Sequence, residues 1–228
     1  MNYNPIIVAL DVESMEEACA LVRRLGRHVG FYKVGMELYA AAGMAMVREL
    51  LEQGKEVFLD LKFYDIPETV QRAVAQVARS GVRFLTVHAV PSVMRAAANG
   101  RGESRLQLLG VTVLTSFGRD ELRELGYDCE PSELVMKRTQ QAMECGIDGV
   151  ICSPLEAAAV RRSLGPKPII VTPGVRSPGA ALGDQKRVAT PAQAIRDGAD
   201  YVVIGRQITR AADPASEAAR VLEEIAAG

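Results

Sequence analysis

The sequence predicts a (β/α)8 TIM barrel forming a single domain over residues 1–228, on three observations. Eight short apolar runs alternate with helical patterns from end to end, with no long linker between them. Most of these runs are continuously apolar rather than alternating, as strands covered on both faces must be. The first run ends ALDVES, without the glycine-rich turn that usually follows the first strand of an open doubly wound sheet.

Strands are expected at 6–11 (IIVALD), 31–35 (FYKVG), 56–62 (EVFLDLK), 84–89 (FLTVHA), 108–115 (LLGVTVLT), 149–153 (GVICS), 168–174 (PIIVTPG) and 201–206 (YVVIGR). Helix starts are visible between them. Ser14 with Glu17, Ser153 with Glu156, and Asp65 with Glu68 have capping-box spacing. Thr190-Pro191 and Asp213-Pro214 read as an N-cap followed by proline at the first helical position. Apolar residues recur at helical spacing through Tyr39, Ala42, Met46 and Leu50, and again through Ala218, Leu222 and Ile225.

Composition narrows the function classes. A net charge of −1 supplies no bulk attraction for nucleic acid or an anionic membrane. No run approaches the ~20 apolar residues of a membrane span, and the N-terminal residues do not read as a signal peptide. Cys19, Cys129, Cys145 and Cys152 show no C-x-x-C spacing, which suggests reduced thiols in a cytoplasmic protein. With His28 and His88 as the two histidines, no metal site is expected.

The active site of such a barrel lies at the C-terminal ends of its strands. Reading those ends in order gives Asp11, Lys33, Asp60 with Lys62, His88, Thr115, Ser153, Arg176 and Arg206. His88 reads first as a hydrogen-bonded barrel histidine, and Lys33 as either a rim lysine or a functional one. Asp60 and Lys62 lie two apart in FLDLKFYDIP and so point to one side of a strand. Buried ion pairs are seldom net stabilising, so a charged array kept in a buried strand argues for function. After the seventh and eighth strands come PGVRSPG, GDQKR and IGR. Glycines 174, 179, 183 and 205 would admit close backbone approach, and Arg176 and Arg206 offer forked donors, which together suit a phosphate.

Taken together, ALD at 9–11, KVG at 33–35, DLKFYDIPETV at 60–70, VTVLTS at 111–116, PGVR at 173–176, GDQKR at 183–187 and VIGR at 203–206 resemble the orotidine 5′-monophosphate decarboxylase family over essentially the whole chain. The resemblance implies a homodimeric barrel that converts orotidine 5′-monophosphate to UMP and CO2 in pyrimidine synthesis, with no cofactor. By motif position, Lys62 matches the lysine that protonates pyrimidine C6 and Asp60 the aspartate beside the departing carboxylate. Lys33 matches the lysine of the charged network, with a ribose contact. Asp65, with Ile66 and Thr69 beside it, matches the segment that enters the partner's site. Asp11 corresponds to a ribose contact and Thr115 to a pyrimidine contact. Gln185, Gly205 and Arg206 correspond to the phosphate grip, and Arg176 lies in the loop that closes over it. The chain departs from the family pattern at Tyr64, where many members have histidine, and at HAVPS (88–92), where a glycine pair is usual.

The chemistry suits these residues. Loss of CO2 from C6 leaves a vinyl carbanion that needs a nearby cation and then a proton, and an ammonium supplies both. Carboxylates flanking Lys62 favour its charged form, the opposite of what a Schiff-base aldolase requires. The sister magnesium-dependent sugar-phosphate decarboxylases share D-x-K-x-x-D but carry a glutamate ligand where this chain has Lys33. A catalytically silent phosphate-binding barrel would be expected to lack one of Asp60, Lys62 or Asp65.

Overall fold

The computed structural model describes residues 4–179 and 189–228. Its eight parallel strands close into a barrel in sequence order, β1 through β8, with β1 paired to β8. The strands are β1 Ile6–Ala9, β2 Phe31–Gly35, β3 Glu56–Phe63, β4 Phe84–His88, β5 Gln107–Val111, β6 Gly149–Ile151, β7 Ile169–Thr172 and β8 Tyr201–Ile204. The helices are α1 Met15–Leu25, α2 Met36–Glu52, α3 Pro67–Ala78, α4 Pro91–Arg101, α5 Arg119–Glu124, α6 Pro131–Glu144, α7 Pro154–Leu164, α8 Pro191–Arg196, α9 Arg206–Thr209 and α10 Pro214–Ala227. None of the described helices is long and apolar enough to cross a membrane.

The expected caps form at four starts. Ser14 accepts from Glu17 N, Ser153 from Leu155 N, Thr190 from Gln193 N, and Asp213 from Ala215 N and Ser216 N. The fifth differs. The N-cap of α3 is Ile66 with Pro67 at the first helical position, so Asp65 lies one residue outside the helix and is not its cap. The 39–50 pattern also spans a break: α2 is interrupted at Gly43 (φ 56°, ψ −148°), a conformation open to glycine but strained for other residues. Several strands stop short of their apolar runs. β5 ends at Val111 because β6 is three residues long, and Thr112 closes the ladder by donating through both N and Oγ1 to Ile151 O.

Alternate residues of every strand fill the barrel interior. Ile7, Phe31, Phe58, Phe84, Leu109, Val171 and Tyr201 form this inner core, while the outward faces of the strands join the helices in a larger one. Phe31, Phe58, Phe84 and Tyr201 meet at centroid separations of 5.2–6.0 Å in tilted and edge-on contacts. The Arg83 guanidinium lies 5.1–5.3 Å from three of these rings and bonds Glu56 and the Tyr201 hydroxyl. The N-terminal end of the barrel is thus filled, and the charged residues sit at the other.

Candidate active site

Beyond the aromatic layers, the next inward positions are charged. Ala9 of β1 pairs with Lys33, Lys33 with Phe58, and Gly35 with Asp60, which carries Lys33 and Asp60 to the open end of the barrel. Lys33 Nζ donates to Asp11 Oδ1 at 2.9 Å and lies 3.7 Å from Asp60 Oδ2. Lys62 Nζ donates to Asp60 Oδ1 at 2.9 Å. The result is a row of alternating charge, Asp11–Lys33–Asp60–Lys62, in which the Lys33 and Asp60 side chains are 11% and 14% exposed. Opposite unit charges ~4 Å apart interact by about 4 kcal/mol at an effective dielectric of ~20, before desolvation is counted.

Burial is the largest single influence on the Asp60 carboxyl and opposes its ionisation. The Lys33 and Lys62 cations, with hydrogen bonds from Lys62 and Thr86, outweigh it and hold Asp60 below the ordinary carboxylate range. His88 is pushed the other way from charge. Burial, then Arg138 and Lys62, lower its affinity for a proton. Its ring packs edge-on against Tyr64 at 5.4 Å.

Lys33, Asp60, Lys62 and Thr115 line one cavity of about 240 Å³, walled by Val111, Ile151 and other apolar side chains. Asp11 and Arg206 line a second cavity of about 760 Å³, and the Asp11–Lys33 ion pair links the linings of the two. Gly205 caps α9 and Arg206 is its first residue, rather than the last of a strand. Arg176, in the loop after β7, donates to its own neighbour's carbonyl, Val175 O, at 2.7 Å. Gly183 and Gln185 lie outside the described residues.

Asp65, Ile66 and Thr69 do not line the cavity that holds Lys62. Asp65 and Ile66 are exposed, and the Asp65 carboxylate accepts from Ile66 N at 2.6 Å. One residue of the site, Thr86, escaped the sequence reading, and a second, Gly35, was read only as part of KVG. Thr86, fully buried in β4, bonds both Asp60 and Lys62. Gly35, at the end of β2, leaves room for the Lys33–Asp11 pair. The available signal for Thr86 was a hydroxyl in an otherwise apolar strand, two residues before His88.

The chain closely resembles known proteins over nearly its whole length. The orotidine 5′-phosphate decarboxylase / HUMPS family matches residues 4–221. The chain belongs to this family. It is 52% identical to the orotidine 5′-phosphate decarboxylase of Nitrobacter winogradskyi over 97% of this chain and 92% of that one. It is also 52% identical to that of Methylobacterium sp. strain 4-46, over 97% and 95%. The crystal structure of orotidine 5′-phosphate decarboxylase from Lactobacillus acidophilus superposes with a TM-score of 0.86 at 38% identity, covering 97% of this chain and 98% of that one. An uncharacterised conserved protein from Geobacillus kaustophilus gives 0.84 at 40% identity, covering 97% and 100%. The family joins nucleotide decarboxylases with the HUMPS group, so the choice within it falls to the site.

Proposed function

We propose that this protein decarboxylates orotidine 5′-monophosphate to UMP and CO2, without metal or organic cofactor, as one catalytic barrel domain of a cytoplasmic homodimer. The observation that carries this reading is the row Asp11–Lys33–Asp60–Lys62 at the mouth of an apolar-walled cavity. With the pyrimidine in that cavity against Thr115, the C6–carboxylate bond breaks, CO2 leaves and its bonding pair stays on C6. The Lys62 ammonium is nearest in function to that growing charge: it stabilises the carbanion and then transfers a proton to C6, becoming a neutral amine that solvent reprotonates. Its attraction rises as charge moves from carboxylate to C6, so the stabilisation favours the transition state over the ground state. Asp60 adjoins the departing carboxylate, and Lys33 and Asp11 face the ribose. Gly205 and Arg206, with Gln185 and Arg176, hold the phosphate.

Support for a homodimer comes from the rim. Asp65 is exposed and does not line its own protomer's cavity, and Met36, which follows β2, and Tyr64 and Ile66, which follow β3, are 60–67% exposed. Apolar side chains so exposed suit a protein interface, across which Asp65, Ile66 and Thr69 would enter the partner's site. The metal-dependent side of the family is less well supported. Lys33 places an ammonium between the carboxylates of Asp11 and Asp60, where a divalent cation would otherwise be needed to balance them.

The test is to add the protein to orotidine 5′-monophosphate with excess EDTA and follow the ultraviolet absorbance lost on conversion to UMP. Turnover that survives EDTA and falls by at least about 1000-fold in Lys62→Ala is expected. No turnover by folded wild-type protein would defeat the reading and direct attention to sugar-phosphate substrates with added magnesium.

A further inference from the structure

Lys62 is the non-glycine residue with positive φ among those described, at 50°. The cause lies in the pairing of β3 with β4. Phe58 and Leu59 face Phe84 and Leu85, and pairing resumes with Phe63 opposite Val87, so Asp60, Leu61 and Lys62 together face Thr86. This is a bulge, and it takes the Lys62 N–H out of the ladder. That N–H donates instead to Thr86 Oγ1 at 2.9 Å. A backbone N–H can only donate, so the threonine oxygen accepts there and its own proton is committed to Asp60 Oδ1, also at 2.9 Å. One buried hydroxyl therefore ties the backbone of the lysine to the carboxylate of the aspartate.

We propose that Thr86 is a positioning residue for the decarboxylation, fixing Lys62 in its left-handed bulge and Asp60 in one orientation so that the ammonium and carboxylate meet the substrate as a preset pair. The proposal rests on the reading given under Proposed function. Oδ1 of Asp60 accepts from both Lys62 Nζ and Thr86 Oγ1. Without the hydroxyl, the carboxylate is held by lysines alone and can rotate with them. The Lys62 N–H also loses its acceptor, so the bulge loses what stabilises it. Displacements of about 1 Å in a reacting group can lower rates about 100-fold.

The polar and titratable groups around Asp60 come from its own strand and from the strands beside it. They are Lys33 from β2, Lys62 from β3, Thr86 from β4 with His88 two residues further on, and Asp11 after β1, acting through Lys33. Thr86 is one of the influences that lower the proton affinity of Asp60. Its removal therefore raises that affinity, and the acid limb of the pH–rate profile moves to higher pH.

The experiment compares Thr86→Val, nearly the same shape without the hydroxyl, with Thr86→Ser, which keeps both hydrogen bonds. For T86V, kcat is expected to fall about 100-fold, with UMP affinity held within about threefold because ribose and phosphate groups are untouched. Its acid limb should move up in pH, and T86S should restore both the rate and the limb. A folded T86V with kcat within about threefold of wild type, an unmoved acid limb, or a T86S as impaired as T86V would each overturn the proposal. Should T86V fail to fold, Thr86→Cys, a weak hydrogen-bonding partner, takes its place against T86S under the same criteria. If the wild type does not decarboxylate the nucleotide, the functional reading falls by itself. The positioning claim is then decided by the carboxyl 13C titration of Asp60 and by the crystal structure of T86V. An unchanged titration and an unchanged Lys62 φ would defeat it.

Discussion

Gly35 shows how a missing side chain can leave room for a charged pair. Its backbone is extended (φ −92°, ψ −178°), so any residue could adopt it. The restriction is steric: a Cβ there would lie 2.8 Å from Lys33 Nζ and 3.2 Å from Asp11 Oδ1. Because Nζ ends a flexible chain, Gly35→Ala would displace the ammonium and leave the strand in place. Stability is expected to change by less than about 1 kcal/mol, while kcat/KM falls roughly ten- to a hundredfold. Thermal unfolding and steady-state kinetics check this together; a large drop in Tm with unaltered activity per folded molecule would refute it. The glycine was legible as part of KVG, but a sequence does not distinguish a glycine needed for its backbone freedom from one needed for its missing side chain. Asp60, Lys62 and Lys33 were legible because charge is expensive to bury, so charged residues in apolar strands demand a reason. Thr86 offered no such contrast, since a threonine in a strand is ordinary.

The elements were mostly visible, and their ends were not. Period-two reasoning places Asp60 and Lys62 on one side, and both do line the cavity, but the strand between them is bulged, with Lys62 in a left-handed conformation that costs roughly 1–3 kcal/mol. The bulge depends on what β4 presents opposite, which no local pattern in β3 encodes. Similarly, Asp65 and Glu68 have capping-box spacing, yet Pro67 takes the first helical position and makes Ile66 the cap. Some joints between elements depend on one side chain. Arg161 of α7 donates to the carbonyls of Gly165, Pro168 and Gly198 and to Asp200, whose carboxylate also accepts from Ile170 N in β7. Arg161→Met keeps much of the stem and removes all the donors. A loss of about 2–4 kcal/mol is expected in urea unfolding, from several part-buried acceptors left unsatisfied, with kcat near wild type because the site lies at the other end of the barrel. A loss below about 0.5 kcal/mol would show that water replaces the guanidinium at this joint.

For the whole molecule, the barrel separates two tasks by its ends. The end filled by Arg83 and four aromatic rings closes the core, and the opposite end carries the charge. In the proposed dimer each site takes Lys62 from one protomer and Asp65 from the other. Lys62→Ala and Asp65→Ala homodimers are then each impaired at both sites. Mixed and re-equilibrated, half the dimers would be hybrids, each with one intact site, so about a quarter of wild-type activity should return. Absence of recovery, with hybrid dimers demonstrated by mass spectrometry, would place Asp65 within its own protomer's site or outside catalysis.

The sequence by itself determined the barrel class and the charged residues at the strand ends. Hydrophobic periodicity is a local consequence of which faces are buried, and isolated charges in apolar strands stand out against it. Only the tertiary structure decided the Lys33–Asp60–Lys62 distances, the bulge over Thr86 and the space left by Gly35. Each of these is set by a contact between residues distant in the chain, or by which neighbour leaves room, and such pairings arise only when the strands close around a common axis.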